Sequence, residues 1–442
     1  MTKSEIKKAA LDAIEACRGE LIGMGRDLYA MPETGFREEK TSAYIKQVFE
    51  ACGMSVRDRI ALTGVRAVAP GRAHIVNVAV MGEMDALLMP SHARCDPVTG
   101  AFHGCGHSAQ LTTVLGTALG LVRSGLVKEL DGDLTFLGVP AEESIELEYR
   151  RGLVKAGKIN SVSGKQEFIR LGEFDDIDMV LCSHIMGQTA GAHSWIGHSW
   201  NGVLNKSVRF RGKGAHAGLA PHDGINALEA ALCAMNSINA LRESFRDDDH
   251  VRIHYIVTKG GDSPNIVPDD VRMEFGVRAA TVEAMTAANA RVNRALRCGA
   301  ESVGAQVDID DAAGGYLPCR QDRALGELYL ANAREVLGAE NAEDAFGSHR
   351  GSSTDCGDVA SLVPLIHPYF GGAVGTPHGN EFDIVNEYAA YVVPAKLAAA
   401  TIVDLLCDGA KGALGVKREF VPAFSGREEY LAYFRDVLGA AE

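Results

Sequence analysis

The stretch HIVNVAVMGEMDAL, residues 74–87, decides the fold. Its first part is a nearly continuous apolar run, which is typical of a buried strand. The run stops at an acidic loop that carries Glu83 and Asp85. A buried strand that ends in carboxylates predicts a sheet with functional groups at its strand ends.

Two later segments repeat this pattern, GDLTFLGVPAEES at 132–144 and DIDMVLCSHIM at 176–186. The first ends in paired glutamates and the second carries a histidine near its end. Between the first two predicted strands, residues 108–125 have the pattern of a helix. Further helices are predicted over 4–30, before Gly53 and near 385–407. Alternating strands and helices indicate an α/β layer architecture, with polar residues gathered at one edge of the sheet.

Residues 203–312 have a different character from the segments before them. The predicted order there is strand, helix, strand, strand, helix, strand, which is the ferredoxin-like split motif. We therefore predict a domain at 199–312, inserted into a discontinuous domain made of 1–198 and 313–442. A chain of 442 residues is long enough for about two or three domains.

Composition and charge narrow the class of protein. The chain is 46% hydrophobic and carries 58 acidic against 44 basic residues, for a formal charge of −14. Such a charge disfavours nucleic acid and anionic membranes as partners. The first residues lack an apolar signal core, and we expect no membrane span, which needs roughly 18 consecutive apolar residues. Ten scattered cysteines predict reduced thiols and a cytoplasmic location.

The motif HGCGHS, residues 103–108, is the first candidate for chemistry. Its glycines allow a tight bend that brings Cys105 and His107 toward one metal ion. A structural zinc site needs two more ligands at short spacing, and none follows nearby. The motif is therefore either a glycine-rich turn with a buried cysteine or one edge of a catalytic metal site.

Other strand ends supply the missing donors. Glu142 and Glu143 are adjacent, His184 follows a strand, and His378 lies in the loop GTPHGNEF. The glutamates could instead favour a helix N-terminus, and Asp85 could be a helix N-cap. Taken together, the donors predict two hydrolytic metal ions roughly 3.5–4 Å apart. Asp85 would then orient a histidine ligand.

In order and spacing, these motifs resemble the dinuclear metal amidohydrolases. That family includes aminoacylases, hippurate hydrolases, auxin-conjugate hydrolases and p-aminobenzoyl-glutamate hydrolase. The likeness runs from MPETGFREEKTSAYI through GEMDAL, HGCGHS, PAEE and GKGAHAGLAPHDGINALEA to STDCGDVA and VGTPHG. GEMDAL, STDCGDVA and VGTPHG look closest to the p-aminobenzoyl-glutamate hydrolase branch. The resemblance implies a phosphorylase/hydrolase-like catalytic domain with helices around a mixed sheet, plus an inserted ferredoxin-like α+β lid and dimerisation domain.

The resemblance also implies roles at matching positions. The metal ligands would be Cys105, His107, Glu143, His184 and His378, with Cys105 bridging. Glu142 would be the general base. Asp85 would hydrogen-bond a histidine ligand without binding the metal itself. In the inserted domain, His216, Asn265 and Arg278 would bind substrate, with His216 reaching across a dimer interface.

Several positions depart from the family pattern or have no assigned role. Ser108 stands where relatives have Asp or Asn, and it is followed by Ala109 and Gln110. The segment HSWIGHSW (193–200) brings both tryptophans to the domain junction, as a hinge or as a wall of an aromatic pocket. The residues left without an assigned role near the expected site are His349, Arg350, Asp355 and Asp358.

Three functions remain open at this point. The first is metal-dependent hydrolysis of the amide of an N-acyl or N-aroyl amino acid. The second is an aminohydrolase that releases ammonia from an aromatic amine such as a nitroanthranilate. The third is a non-catalytic partner subunit. For the enzyme we expect one or two divalent ions per chain, Mn or Zn and possibly Co, a small substrate with a carboxylate and an aromatic group, and a homodimer or higher homo-oligomer.

Overall fold

A computed structural model describes residues 1–311 and 314–438 of the chain. The predicted domain boundary between residues 312 and 313 lies outside these described residues. The helices are α1 (Lys3–Ala16), α2 (Arg18–Tyr29), α3 (Glu39–Ala51), α4 (His107–Ala118), α5 (Leu147–Lys155), α6 (Gly164–Leu171), α7 (Ala227–Leu241), α8 (Val282–Ser302), α9 (Arg323–Leu337), α10 (Cys356–Ala360), α11 (Val393–Glu419) and α12 (Arg427–Leu438).

The strands are mostly short outside the two main sheets. They are β1 (Ser55–Ile60), β2 (Gly64–Ala69), β3 (Asn77–Glu83), β4 (Leu87–Leu88), β5 (Ala101–Phe102), β6 (Asp133–Val139), β7 (Met179–Leu181), β8 (His184–Ile185), β9 (Ser194–Ile196), β10 (Ser199–Trp200), β11 (Gly202–Arg211), β12 (Arg252–Lys259), β13 (Asp270–Ala279), β14 (Gln306–Asp310), β15 (Gly315–Tyr316), β16 (Cys319–Arg320), β17 (Ala342–Asp344), β18 (His349–Arg350), β19 (Leu365–Ile366), β20 (Tyr369–Phe370), β21 (Ala373–Val374) and β22 (Asp383–Ile384).

The chain divides into two compact units. Unit 1 comprises Met1–His198, Arg320–Ser348 and Asp358–Glu429. Unit 2 comprises Ser199–Cys319, His349–Gly357 and the segment that begins at Tyr430.

Unit 1 is built on a six-stranded mixed sheet in the order β1-β2-β6-β3-β7-β19. The strands β6, β3, β7 and β19 run parallel, and β1 and β2 are antiparallel at one edge. Six of the seven residues in each of β3 and β6 are buried, which explains their continuous apolar sequence. Helix α4 packs on β3, and α2 and α11 pack on α4. The predicted α/β class with helices around a mixed sheet is confirmed.

Unit 2 contains an antiparallel sheet in the order β12-β13-β11-β14. In chain order the elements are β11, α7, β12, β13, α8 and β14, as the split motif predicts. Asn226 caps α7 and Thr281 caps α8 through their side chains. Apolar residues of both helices form a core against the sheet. The predicted ferredoxin-like α+β fold is confirmed.

Two predicted elements are interrupted. The helix predicted over 4–30 breaks at Cys17 into α1 and α2. The strand predicted over 176–186 ends at Leu181, and His184 begins β8, which pairs with β20 in a different sheet. Pairing with strands distant in sequence, rather than local pattern, sets both of these short strands.

The segment Tyr388–Glu419 bears on the expectation that the chain has no membrane span. Among the described residues, it is a helix that is long enough and apolar enough to cross a membrane, judged by length and composition alone. The sequence pattern predicted no such span. Isolated charges such as Lys396 and Asp404 break its apolar sequence and hide this property. Because 89% of its most apolar window is buried in the protein, we interpret it as a core helix. Its helical geometry is lost over residues 407–410, where the helix kinks.

Candidate metal centre

The HGCGHS motif forms a tight turn into α4. Gly106 has φ +82°, and a Cβ on it would lie 2.2 Å from Ile185 Cγ2. Only glycine fits this position, because it combines a left-handed backbone with no room for a side chain. His107 is the first residue of α4, so the turn fixes the position of its imidazole.

The imidazole of His107 is oriented by Asp85. Its Nδ1 lies 2.8 Å from the carbonyl oxygen of Asp85 and 3.2 Å from Asp85 Oδ1. A proton on Nδ1 is donated to the carbonyl oxygen of Asp85, which leaves Nε2 as the atom that can bind a metal. Asp85 lies between β3 and β4 and precedes no helix, so the alternative of a helix N-cap is excluded.

Cys105 lies between two further histidines. Its Sγ is 3.3 Å from His184 Nε2 and 3.3 Å from His378 Nε2. His184 Nδ1 is 2.7 Å from the carbonyl oxygen of Ile185, so its Nε2 also faces the sulfur as the free nitrogen. His378 has φ +68°, and its N–H donates to the Gly104 carbonyl at 2.9 Å, which ties its loop to the motif.

Glu142 and Glu143 lie on a turn rather than at the end of a strand. Strand β6 ends at Val139 and α5 begins at Leu147, so the pair does not occupy a helix N-terminus either. Glu143 Oε1 is 3.1 Å from His378 Nε2, and the Glu143 N–H donates to Asp85 Oδ2 at 2.9 Å. Glu142 Oε2 is 4.0 Å from His107 Nε2.

These side chains fit a metal centre. The donor atoms of Cys105, His107 and His184 all lie within 4.8 Å of one another, and so do those of Cys105, Glu143 and His378. Cys105 is common to both sets. A thiolate, three imidazoles and a carboxylate form a donor set that suits zinc, manganese or cobalt.

The electrostatics of the cluster agree with cation binding. Burial opposes ionisation of Glu143, but the contact with His378 outweighs it and lowers the Glu143 pKa to about 2. Burial and the nearby charge of His107 lower the pKa of His184 to about 4, which keeps this ligand neutral. Burial beside Glu143 raises the pKa of Cys105. Because metal binding requires the thiolate, loading the site releases a proton.

A buried ionic group with no role predicted from sequence lies beside His107. Glu83 Oε2 is 3.1 Å from His107 Nε2, and Glu83 Oε1 is 2.5 Å from Lys165 Nζ. Gln110 donates to Glu83 at 2.7 Å and accepts its N–H at 2.9 Å. Glu83, Lys165 and Gln110 are each at most 1% exposed. In the sequence, Glu83 was marked as the first acidic residue of GEMDAL and Gln110 as a departure near Ser108, whereas nothing marked Lys165.

The predicted substrate residues belong to unit 2. His216 is exposed, and its Nδ1 accepts the N–H groups of Gly218 and Leu219 at 3.2 and 3.1 Å, so its Nε2 carries the proton. Asn265 lies beside it, with its carbonyl accepting the Ala217 N–H at 2.9 Å. Arg278 is half-buried on β13, 3.4 Å from His254.

The unassigned residues have individual environments. The Ser108 hydroxyl is buried and has no hydrogen-bond partner among the described residues. Asp358 accepts a hydrogen bond from Gln166 at 3.3 Å. His349 lies in unit 2, with Nδ1 2.9 Å from Ser199 Oγ and Nε2 2.9 Å from Asn201 Oδ1. Asp355 is also in unit 2 and is fully buried.

The two tryptophans of HSWIGHSW differ in exposure. Trp195 is half-buried and packs on His193, whereas Trp200 is only 2% exposed. An indole as enclosed as that of Trp200 is not available to line an open pocket, whereas Trp195 keeps part of its surface exposed.

Comparison with known proteins shows what this chain is similar to. The family model described as "Peptidase dimerisation domain" matches residues 201–302. The Xaa-Arg dipeptidase of Mus musculus is 28% identical, over 94% of this chain and 92% of the relative. A p-aminobenzoyl-glutamate hydrolase from Escherichia coli strain K12 is 26% identical in one of its subunits, over 91% of this chain and 92% of that subunit.

A solved structure supports the fold. A dinuclear metal-binding peptidase of the M20 family from Bacillus subtilis has a TM-score of 0.65 and 22% identity, covering 89% of this chain and 99% of that one. The motifs quoted above had predicted relatives of this kind. The chain is thus similar to metal-dependent amidohydrolases and peptidases over most of its length, and is itself a metal-dependent amidohydrolase.

Proposed function

We propose that the chain hydrolyses the amide bond that joins an acyl or aroyl group to an amino acid. One observation supports this most directly: Cys105 Sγ lies 3.3 Å from the Nε2 atoms of both His184 and His378. A donor shared by two ligand sets is able to bridge two hydrolytic metal ions. The proposed ligands are Cys105, His107, Glu143, His184 and His378.

Glu142 is the proposed general base. Bound divalent cations would polarise a water molecule and the substrate carbonyl, so that the water ionises near neutral pH. Glu142 takes the proton from the attacking water and returns it to the leaving amine nitrogen. Asp85 holds His107 in the tautomer that leaves its Nε2 available, and it also binds the backbone of Glu143.

The substrate class follows from the relatives and from unit 2. Xaa-Arg dipeptidase and p-aminobenzoyl-glutamate hydrolase both take their names from an acyl group joined to an amino acid. We assign Arg278 and Asn265 to the substrate's carboxylate or carbonyl, since a guanidinium pairs with two carboxylate oxygens. His216 donates from Nε2 to the developing oxyanion.

The metal, the compartment and the assembly are part of the same proposal. We propose two ions per chain, manganese or zinc, with cobalt as an alternative. Ten free cysteines accord with a reducing cytoplasm. Unit 2 would form a homodimer through β12, an edge strand whose Ile256 and Val257 are 60% and 43% exposed.

The test is a product analysis on metal-loaded protein. A panel of N-acyl amino acids, N-aroyl amino acids and dipeptides is incubated with the chain, and both free amino acid and free ammonia are measured. Release of an amino acid with a new carboxylate supports the proposal. Ammonia from an aromatic amine, with no amide cleaved, would replace it with aromatic deamination. No turnover of any substrate, with ions bound, would favour the non-catalytic subunit.

A further inference from the structure

The backbone before Glu142 and Glu143 has an unusual conformation. Ala141 has φ +56° and is fully buried. A residue with a Cβ rarely adopts this left-handed region, so the surroundings must hold it there. The direction of both following carboxylates depends on this one residue.

Two buried side chains, Glu38 and Arg150, hold the backbone of Ala141. Its N–H donates to Glu38 Oε1 at 2.9 Å, and its carbonyl accepts from Arg150 Nη1 at 3.3 Å. Glu38 is 0% and Arg150 1% exposed. The other oxygen of Glu38 accepts the Thr63 hydroxyl at 2.6 Å, which fixes the carboxylate in place.

Gly35, close to Glu38 in sequence, leaves space for the contact between Arg150 and Ala141. A Cβ on Gly35 would lie 2.3 Å from Arg150 Nη2 and 2.8 Å from Ala141. Gly35 and Glu38 both belong to MPETGFREE, a motif to which the catalytic assignments give no role. The glycine leaves room for the guanidinium, and the glutamate three residues later reaches the peptide of Ala141.

The far end of the turn is held in the same way. The Glu143 N–H donates to Asp85 Oδ2 at 2.9 Å, and Arg150 Nη2 lies 3.9 Å from the same oxygen. Arg150 therefore contacts the near end of the turn directly, at Ala141, and lies beside Asp85, which holds the far end. Holding both ends leaves the two carboxylates little freedom to leave the centre.

We propose that Glu38 and Arg150 are positioning residues that hold Ala141 in its left-handed conformation and so aim Glu142 and Glu143 into the metal centre. This inference rests on the proposed function for the roles of the two glutamates. Neither positioning residue touches the substrate in this assignment.

The test compares Mn²⁺ affinity by calorimetric titration in four variants of the full chain. Glu38→Met keeps the length of the side chain and removes both acceptors, and we expect the dissociation constant to rise about 10- to 100-fold. Glu38→Gln keeps an acceptor for the Ala141 N–H and should bind nearly as wild type. Adding Ala141→Gly to Glu38→Met should recover affinity, because glycine adopts positive φ without support.

Glu173→Met is the matched control, because Glu173 is a buried carboxylate of unit 1 that pairs with Arg57 and Arg66 instead. It should lower the melting temperature and leave Mn²⁺ affinity unchanged. Wild-type affinity in Glu38→Met, an equal loss in Glu173→Met, or no recovery with Ala141→Gly would overturn the inference. Glu38→Ala replaces the methionine variant if that one does not fold. Because no substrate is involved, failure of the substrate panel alone would leave this result standing.

Discussion

At the residue scale, two adjacent glutamates have different surroundings. Glu143 lies 3.1 Å from His378 and belongs to a donor set with Cys105. Glu142 lies outside both sets that contain Cys105, 4.0 Å from His107. The neighbour that contacts the ligands is suited to hold a cation, and the other is suited to move a proton.

Glu142→Gln should therefore separate metal binding from turnover. The amide cannot accept a proton, so kcat should fall by about 10²- to 10⁴-fold while metal content stays at the wild-type level. Steady-state kinetics and elemental analysis of the same preparation measure both quantities. Glu143→Gln is the matched control and should lose metal. Wild-type kcat in Glu142→Gln would refute its role as the base.

The shared position of Cys105 leads to a second prediction. Because its sulfur belongs to both donor sets, Cys105→Ala should weaken the binding of every ion. His378 belongs to only one of these sets, so His378→Ala should remove one ion and keep the other. Elemental analysis after dialysis against a fixed Mn²⁺ concentration gives the stoichiometry. Equal losses in the two variants would contradict a bridging role for Cys105.

At the element scale, β12 is the strand of unit 2 that is best suited to pair with another chain. It forms the edge of the sheet and leaves Ile256 and Val257 exposed. An edge strand with exposed apolar residues is a template for pairing with another chain. The match of residues 201–302 to a peptidase dimerisation domain makes a second copy of this chain the expected occupant.

Ile256→Lys should convert the proposed dimer to a monomer. A charged side chain on an edge strand opposes pairing, because association would have to desolvate it. Light scattering coupled to gel filtration measures the molecular mass. Val421→Lys, at an apolar residue of unit 1 that is 85% exposed, is the control and should leave the mass unchanged. A dimeric Ile256→Lys would place the interface elsewhere.

The elements also show how far sequence can predict this fold. The apolar runs of β3 and β6 and the split motif of unit 2 follow from local pattern. The end of β7 at Leu181 and the switch of His184 to a second sheet depend on β20, whose residues lie far along the chain. The pairing of Glu83 with Lys165 joins residues 82 apart in sequence. A local sequence pattern does not predict contacts between residues so far apart in the chain. For the same reason the contact between Glu38 and Ala141 was not expected.

At the scale of the whole molecule, the two units carry different tasks. All five proposed ligands, with Glu142 and Asp85, belong to unit 1. The residues proposed to contact substrate and to form the dimer belong to unit 2. A ligand stabilises only the states that bind it, by about 2.7 kcal/mol at a concentration of 100 Kd. Bound metal should therefore raise the free energy of unfolding of unit 1 and leave that of unit 2 unchanged.

Hydrogen exchange of the full chain, before and after removal of metal, tests this division. With Mn²⁺ present, we expect slower exchange in α4 after His107 and in the turn around Glu143, by up to about 100-fold at 100 Kd. The amides of β11 and β13 in unit 2 should exchange at the same rate in both conditions, which makes them an internal control. Local unfolding of α4 or of the turn would separate the metal ligands from one another, so bound metal opposes it. Local unfolding of the sheet of unit 2 would separate none of these ligands. Equal slowing in both units would mean that they open together, and stability could not then be assigned to each unit separately.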